Sequence, residues 1–172
     1  MPLFRVIWYA FNGGVKLSIE KVRKYFAARG MEDQILEFDV SSATVELAAK
    51  ALNCDGCLIA KTLSFLVHDD VILIVAPGDV KIDNHKYKMH FGVKAKMLPA
   101  AEAEQLIGHA VGGVCPFAVN EGVKVFLDES LKRFEFVYPA CGSSNSAIKL
   151  TIPELEKNTD HFSGWVDVCK LK

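Results

Sequence analysis

The stretch CLIAKTLSFLVHDDVILIVA, residues 57–76, decides the fold of this chain. Two runs of apolar, β-prone residues, 57–67 and 71–76, flank the short polar segment His-Asp-Asp at 68–70. Two such runs joined by a polar turn are typical of a β-hairpin. We therefore predict a hairpin with a solvated tip.

The segments around the hairpin alternate irregularly between helical and strand patterns. Helices are predicted from Ser18 to Gly30, over 41–53, through a basic segment from the end of the hairpin to Gly92, over 99–108 and from Pro153 onward. Strands are predicted over 34–40, 94–98, 123–128, 134–140, 147–152 and 165–171. This order, without a regular βαβ alternation, favours an α/β (α+β) fold with a mixed sheet and flanking helices in a single domain.

Composition and charge limit the classes of function. The chain has 172 residues, 51% hydrophobic and 24% charged, with a net charge of −1, which is typical of one globular domain with its own core. A near-neutral surface does not bind nucleic acid or anionic membrane as a whole, so a polyanionic partner must contact a local patch. The apolar start at 2–11 is too short to span a bilayer and lacks the features of a signal peptide. Five scattered cysteines do not resemble a secreted disulfide framework, so we expect a cytoplasmic protein.

Lys61 interrupts an otherwise apolar strand face. Alternate side chains of a strand share one face, which here carries Cys57, Ile59, Lys61, Leu63 and Phe65. Burying an ammonium group is costly unless a partner compensates it. Lys61 either extends along a partly solvated face or points into a cavity as a functional group, and we favour the cavity.

A second unusual segment is GHAVGGVCPFAV, residues 108–119. It contains three glycines and the spacing G-x-x-x-P from Gly112 to Pro116. Glycine permits positive φ and proline fixes φ, so a tight connection after a helix explains one or two of these residues. A loop with little side-chain bulk also lets its backbone approach a ligand closely, and both interpretations stay open from this segment alone.

Five blocks of the sequence together resemble the YbaK/ProX-type aminoacyl-tRNA editing domain family. They are IAKTLSF around Lys61, ILIVAPGDVKID, IGHAVGGVCPF, VFLDESL and ACGSSNSAIKLTIPEL, in the order and spacing of the family. The resemblance covers 18–172, so we expect residues 1–17 to be an N-terminal extension packed on an editing domain. It implies a strongly curved, nearly barrel-like mixed sheet and hydrolysis of the ester of a mischarged tRNA, above all alanyl- or cysteinyl-tRNA for proline.

The resemblance also implies roles for particular residues. Lys61 matches the essential lysine of the family, and Gly112 and Pro116 match the ends of its functional loop. An editing site has to position an already activated ester and stabilise the oxyanion that develops. The backbone of Gly112, Gly113 and Val114 would hold the ester or the α-ammonium at close range. Lys61 would supply positive charge to the terminal phosphate region or to the carbonyl oxygen.

Further residues are implied as walls of the same pocket. Gly142, Ser143 and Asn145 resemble a second glycine turn of the family, and Cys115 would be a small apolar filler. One departure is Ala118, which stands where many family members have glycine. Small residues at these positions would shape the wall of the pocket and leave space for a ligand.

Neither a protein nucleophile nor a metal site is evident in the sequence. There is no G-x-S-x-G motif, and a nucleophilic Cys115 has no histidine partner nearby in sequence, although His109 could approach it in space. Cys54 and Cys57 form a C-x-x-C, but no second ligand pair follows at the spacing that zinc requires. We expect no metal and no cofactor, and the resemblance implies that a hydroxyl or thiol of the substrate assists hydrolysis.

The expected partner is the 3′ aminoacyl end of a mischarged tRNA, and neither DNA nor a membrane. The basic run 81–96 includes Lys81, Lys86 and Lys88, which either contact tRNA phosphates or form an ordinary solvated surface. An alternative function is a non-catalytic module that binds an aminoacyl or adenosine end, or a protein partner, through the same pocket. Retention of both Lys61 and the G-x-x-x-P loop favours the enzyme.

Overall fold

The computed structural model describes residues 18–172. The expected extension at 1–17 lies outside the described residues. The helices of the described part are α1 (18–27), α2 (Val45–Leu52), α3 (Asn84–Phe91), α4 (Ala100–Ile107) and α5 (Ile152–Asn158). Its strands are β1 (Ile35–Glu37), β2 (Ile59–Val67), β3 (Asp70–Pro77), β4 (Val80–Ile82), β5 (Lys124–Asp128), β6 (Phe136–Pro139), β7 (Ser146–Ile148), β8 (Leu150–Thr151), β9 (Phe162–Val166) and β10 (Cys169–Leu171).

The predicted hairpin is the centre of the main sheet. β2 and β3 pair antiparallel from Val67 opposite Asp70 to Ala60 opposite Pro77. The strand order is β8-β6-β2-β3-β5-β9, in which β6 runs parallel to β2, and β5 and β9 continue parallel to β3. β8 pairs antiparallel with β6. The sheet is therefore mixed, and it curls into a half-barrel in a single domain, which confirms the predicted fold class.

Two short antiparallel ribbons complete the strands: β1 with β7, and β4 with β10. The prediction of a helix directly after the hairpin was wrong for its first residues, because Val80–Ile82 form β4 before α3 begins. Three residues contain too little alternation to predict a strand. The strand predicted over 94–98 is reduced to one bridge between Met97 and Phe65.

The main sheet has a different hydrophobic core on each face. The inner face, with Leu73 and Val75 of β3, packs with residues of α1 and α4. The outer face, with Ile72 and Ile74, packs against Tyr87 of α3. Tyr87 is fully buried, and burial of one such aromatic side chain contributes about 1.5–3 kcal/mol. Residues one position apart on the hairpin thus belong to different sides of the domain.

The position of α2 depends on a close contact between two turns. A Cβ on Gly78 would lie 2.1 Å from the carbonyl oxygen of Gly56 and 2.6 Å from Cγ1 of Val45, so only glycine fits there. The turn after β3 therefore packs by its backbone against the turn before β2 and the first turn of α2. Thr44 caps the N-terminus of α2, and its hydroxyl accepts a hydrogen bond of 3.1 Å from the amide of Leu47.

Candidate functional site

A cavity of about 270 Å³ lies between the start of α2, the start of β2, α4 and the loop that follows α4. Its wall is formed mostly by small apolar residues, including Ala48 of α2, Ala60 of β2 and Ala103 of α4. Among the described residues, the wall contains no aspartate, glutamate, histidine or cysteine, and Lys61 is its one charged residue. The cavity therefore has room for a small ligand and offers it no carboxylate, imidazole or thiol side chain.

Lys61 belongs to the cavity wall and is half-buried. Its side chain leaves β2 on the outer face, which it shares with Leu63 and Phe65, and its Nζ donates a hydrogen bond to the carbonyl oxygen of Val80. Burial lowers the pKa of Lys61, and the nearby charge of Lys172 lowers it further. The ammonium is thus held by a neutral acceptor on β4, and Val80 is not itself part of the cavity wall.

Two residues of the G-x-x-x-P loop line the same cavity, Gly112 and Val114. Gly112 has φ of +92°, in the region that favours glycine, and a Cβ there would make ordinary contacts of 3.4 Å with Ala43 and Ser144. Glycine at this position is needed for its dihedral angle rather than for space. The structure thus brings the loop and Lys61, which are distant in sequence, to one cavity.

Gly113 lies behind this wall instead of in it. A Cβ on Gly113 would lie 2.6 Å from the carbonyl carbon of Gly142 and 2.7 Å from the amide nitrogen of Ser143. Gly142 has φ of +88°, and a Cβ on it would lie 2.8 Å from the carbonyl oxygen of Ser18. The two glycine turns identified in the sequence therefore pack against each other backbone to backbone.

The rest of the second turn is held by side-chain hydrogen bonds. The hydroxyl oxygens of Ser143 and Ser146 are 2.7 Å apart, and Nδ2 of Asn145 donates to the carbonyl oxygen of Phe38 over 3.0 Å. Neither Ser143 nor Asn145 lines the cavity, whereas Ser146 does. These two predicted residues support the wall from behind.

His109 fastens the loop from inside the core. Its Nε2 lies 2.7 Å from the carbonyl oxygen of Phe117, and its Nδ1 lies 2.7 Å from the hydroxyl of Ser18. Because a carbonyl only accepts, Nε2 carries the proton and Nδ1 accepts from Ser18. Burial lowers the pKa of His109 to about 4, so the ring is neutral at neutral pH.

Cys115 is fully buried, with its Sγ 3.5 Å from Nε2 of His109. Burial raises the pKa of its thiol to about 12, which keeps the sulfur protonated. Cys115 and Pro116 are not in the cavity wall, and the carbonyl of Pro116 accepts a hydrogen bond from the amide of Asp160. Ala118, at the position where the resemblance places glycine, has φ of +51°, so it adopts a conformation that suits glycine.

The three lysines predicted to contact tRNA lie on α3 and β4, away from the cavity wall. Lys86 forms an ion pair of 2.9 Å with Asp167 and also donates to the carbonyl of Cys169. Lys81 and Lys88 are exposed and have no ion-pair partner within residues 18–172. Two of the three positive charges are therefore free to meet a polyanion.

Sequence reasoning missed the hydroxyl groups of the cavity. Ser42, Thr62 and Ser64 all line it, and the last two lie on the inner face of β2. The signal was present in AKTLSF, because Thr62 and Ser64 alternate with the outer-face residues on a strand whose inner face is otherwise apolar. The charge of Lys61 is the stronger signal in this strand, and it indicates a functional role for the outer face instead.

The described part of the chain contains no candidate metal cluster, no paired cysteines and no membrane-spanning helix. In residues 18–172, no three histidine, cysteine, aspartate or glutamate side chains are grouped so that they could hold a metal ion. Cys54 and Cys57 are free thiols in the connection between α2 and β2, as predicted for a turn. Over the same range, no helix has the length and apolarity needed to cross a membrane.

Similar proteins were found by sequence and by structure. Residues 40–158 match the family model of the aminoacyl-tRNA editing domain. The uncharacterized protein YwhH of Bacillus subtilis is 51% identical over 156 residues, which cover 90% of this chain and 98% of that protein.

More distant relatives include larger enzymes. The proline–tRNA ligase of Lactiplantibacillus plantarum is 23% identical over 126 residues, which cover 73% of this chain and 22% of the ligase. This chain thus corresponds to about a fifth of that ligase. A crystal structure of a protein proposed as a trans-editing enzyme for prolyl tRNA synthetase has a TM-score of 0.79 at 26% identity, covering 89% of this chain and 97% of that one.

Proposed function

Since the chain belongs to the aminoacyl-tRNA editing domain family, we propose that it hydrolyses, in trans, the ester that joins a wrong amino acid to a tRNA. We further propose alanyl- or cysteinyl-tRNA for proline as its substrate. The similarity to a proline–tRNA ligase and to a protein proposed as a trans-editing enzyme for prolyl tRNA synthetase supports proline tRNA as the carrier.

The observation that carries this proposal is the shared cavity of Lys61 and the loop residues Gly112 and Val114. An aminoacyl ester is already activated, so catalysis needs positioning and stabilisation of the oxyanion more than a strong nucleophile. The backbone at Gly112 suits the first task, because glycine has no side chain to exclude the ester. The positive charge of Lys61 suits the second once the ammonium exchanges the carbonyl of Val80 for the substrate.

In the proposed reaction, water attacks the ester carbonyl with the assistance of a hydroxyl or thiol of the substrate. The bond between the carbonyl carbon and the ribose oxygen breaks, and a proton passes to that oxygen. The described wall offers no histidine, carboxylate or cysteine to take part, and Cys115 is buried and protonated. This composition supports assistance by a hydroxyl or thiol of the substrate.

The other predicted residues have supporting roles in this proposal. Gly113, Cys115, Pro116, Gly142, Ser143 and Asn145 shape the substrate site from behind the loop. Lys81, Lys86 and Lys88 contact phosphates of the tRNA, with Lys81 and Lys88 the stronger candidates because the charge of Lys86 is paired with Asp167.

One observation favours a second candidate, a non-catalytic module that binds an aminoacyl or adenosine end. The Lys61 ammonium donates to Val80, so in this structure it ties β2 to β4. A lysine used only in this way would leave the cavity as a binding pocket without an electrostatic catalyst. The enzyme and the module differ in whether bound ester is hydrolysed.

The test is incubation of the full chain with alanyl-, cysteinyl- and prolyl-tRNA for proline while loss of the ester is followed. We expect faster loss of alanyl or cysteinyl ester than in buffer alone, with correctly charged prolyl-tRNA as the matched control. Binding of these tRNAs without any acceleration would contradict the enzyme and support the binding module. Hydrolysis only of esters on other tRNAs would contradict proline tRNA as the carrier.

A further inference from the structure

The inner face of β2 carries two hydroxyl side chains in the middle of the main hydrophobic core. Ala60 and Leu66 on this face pack with the core, whereas Thr62 and Ser64 between them line the cavity. Polar side chains on the core face of a central strand are unusual unless they are hydrogen-bonded. Their position along the cavity indicates a role in binding a ligand.

Two hydroxyls of the cavity wall lack a partner. The oxygens of Thr62 and Ser42 are shielded from solvent and have no hydrogen-bond partner within residues 18–172. A buried polar group without a hydrogen-bond partner lowers the stability of a folded protein by about 1–3 kcal/mol. By contrast, Thr44 and Ser146, which line the same cavity, use their hydroxyls on Leu47 and Ser143.

The chemistry of the wall restricts what these hydroxyls can bind. An amino acid in ester linkage brings hydrogen-bond donors, the N–H groups of its α-ammonium in every case and a side-chain O–H in some. Because the described wall has no carboxylate, a donor enclosed there must use hydroxyl or carbonyl oxygens as acceptors. Staggered alternatives about the Cα–Cβ bond let either oxygen turn toward such a donor.

We propose that Ser42 and Thr62 form a hydrogen-bonding subsite for a donor on the amino-acid part of the ester. This inference rests on the proposed function, since that function supplies the ligand. It assigns substrate recognition to the inner face of β2, separate from the charge that Lys61 contributes from the other face. The bound amino acid then supplies the hydrogen-bond partner that these two hydroxyls lack.

The test compares two substitutions of the same chemistry, Thr62→Val and Thr159→Val. Thr159 lies outside the cavity wall and its buried hydroxyl donates to the carbonyl of Leu155 over 2.6 Å. We expect Thr62→Val to lower kcat/KM roughly tenfold, as loss of one hydrogen bond to a charged group would, with Tm unchanged or raised. Thr159→Val is expected to lower Tm by about 2–4 °C and to leave kcat/KM of the folded protein unchanged.

Binding of a non-hydrolysable analogue, adenosine with alanine in amide linkage at the 3′ position, separates this inference from the proposed function. Thr62→Val and Ser42→Ala should weaken its binding, measured by NMR titration, even if the wild-type chain hydrolyses no ester. If both variants retain full binding of this analogue and of the corresponding serine analogue, the subsite is overturned. A drop in the Tm of Thr62→Val matching that of Thr159→Val would also overturn it, because that hydroxyl would then be structural.

The two sources of the donor are distinguished by the amino acid on the analogue. If Thr62→Val weakens the alanine and serine analogues equally, the subsite binds the α-ammonium. If it weakens only the serine analogue, the subsite reads a side-chain hydroxyl. Equal binding of both analogues to wild type and variant would overturn the proposal.

Discussion

The cavity has two walls that are built on different principles. β2 is held by a continuous antiparallel register with β3, so each of its side chains points where alternation directs it. The loop at 108–119 is held by contacts between backbones, with Gly113 against Gly142 and Gly142 against Ser18. The strand wall therefore tolerates changes of side chain and supplies the chemistry, whereas the loop wall has no room for an added atom at Gly113 and supplies shape.

Acid should have the largest effect, and it should destabilise the loop wall more than the strand wall. The reason is that the buried side chain of His109 is hydrogen-bonded to the loop and not to β2. The pKa of His109 is about 4 in the folded chain against 6.5 for an exposed histidine, so protonation favours the unfolded state. The contribution of neutral His109 to the stability of the folded chain is complete above pH 6.5 and is lost as the pH falls toward 4. We expect the free energy of unfolding to fall by on the order of 3 kcal/mol between pH 7 and 4.

Urea unfolding at a series of pH values measures this loss. His109→Gln is the control, since a neutral amide keeps hydrogen-bonding capacity but does not titrate. The variant should be less stable at pH 7 and should show a flatter slope between pH 7 and 4. The same slope in both proteins would mean that His109 does not make the loop wall sensitive to acid.

The strand wall is tested at Lys61, where the second largest effect is expected. Lys61→Met keeps the aliphatic stem and removes the charge, and we expect deacylation to fall by roughly 10²-fold, equivalent to about 2.7 kcal/mol. Tm should change little, because loss of the bond to Val80 is offset by removal of a half-buried charge. Single-turnover deacylation and a thermal melt measure the two quantities.

Lys61→Arg sharpens this prediction. A planar guanidinium keeps the charge but does not occupy the place of a compact ammonium, so we expect poor rescue of the rate. A Lys61→Met variant with full activity and a clearly lower Tm would instead assign the lysine to holding β2 and β4 together.

The two walls also differ in how far the sequence could predict them. The hairpin and the face of Lys61 follow from local alternation, and the structure confirms the strand pairing. The proximity of Gly113 and Gly142 depends on turns that are far apart in sequence, and glycine itself does not indicate which backbone it approaches. The hydrogen bond from Lys61 to Val80 could not be predicted either, because it depends on β4, a strand too short to be recognised in the sequence.

Gly113→Ala should damage the loop wall next most strongly. Its added methyl would meet backbone atoms of Gly142 and Ser143 that no side-chain rotation can move, and overpacking of this kind costs about 1–3 kcal/mol. Urea unfolding measures the loss. Gly56→Ala is the matched control, since its Cβ would make only an ordinary contact of 3.4 Å with Val45. Equal stability of the two variants would show that the glycine turns yield easily.

Gly112→Ala is the smallest and most specific of these changes. The methyl group fits sterically, at 3.4 Å from Ala43 and Ser144, but φ of +92° is unfavourable for alanine by about 1–2 kcal/mol. The chain accepts such a conformation at Ala118, so the variant should fold with its loop displaced at the cavity. We expect deacylation to fall about tenfold, since small displacements of a positioning group reduce rates. Gly122→Ala imposes a similar strain, at φ of +86°, in open space and outside the cavity wall, so it controls for the backbone effect. If Gly112→Ala deacylates as fast as Gly122→Ala, the loop does not position the ester and the chemistry belongs to the strand wall alone.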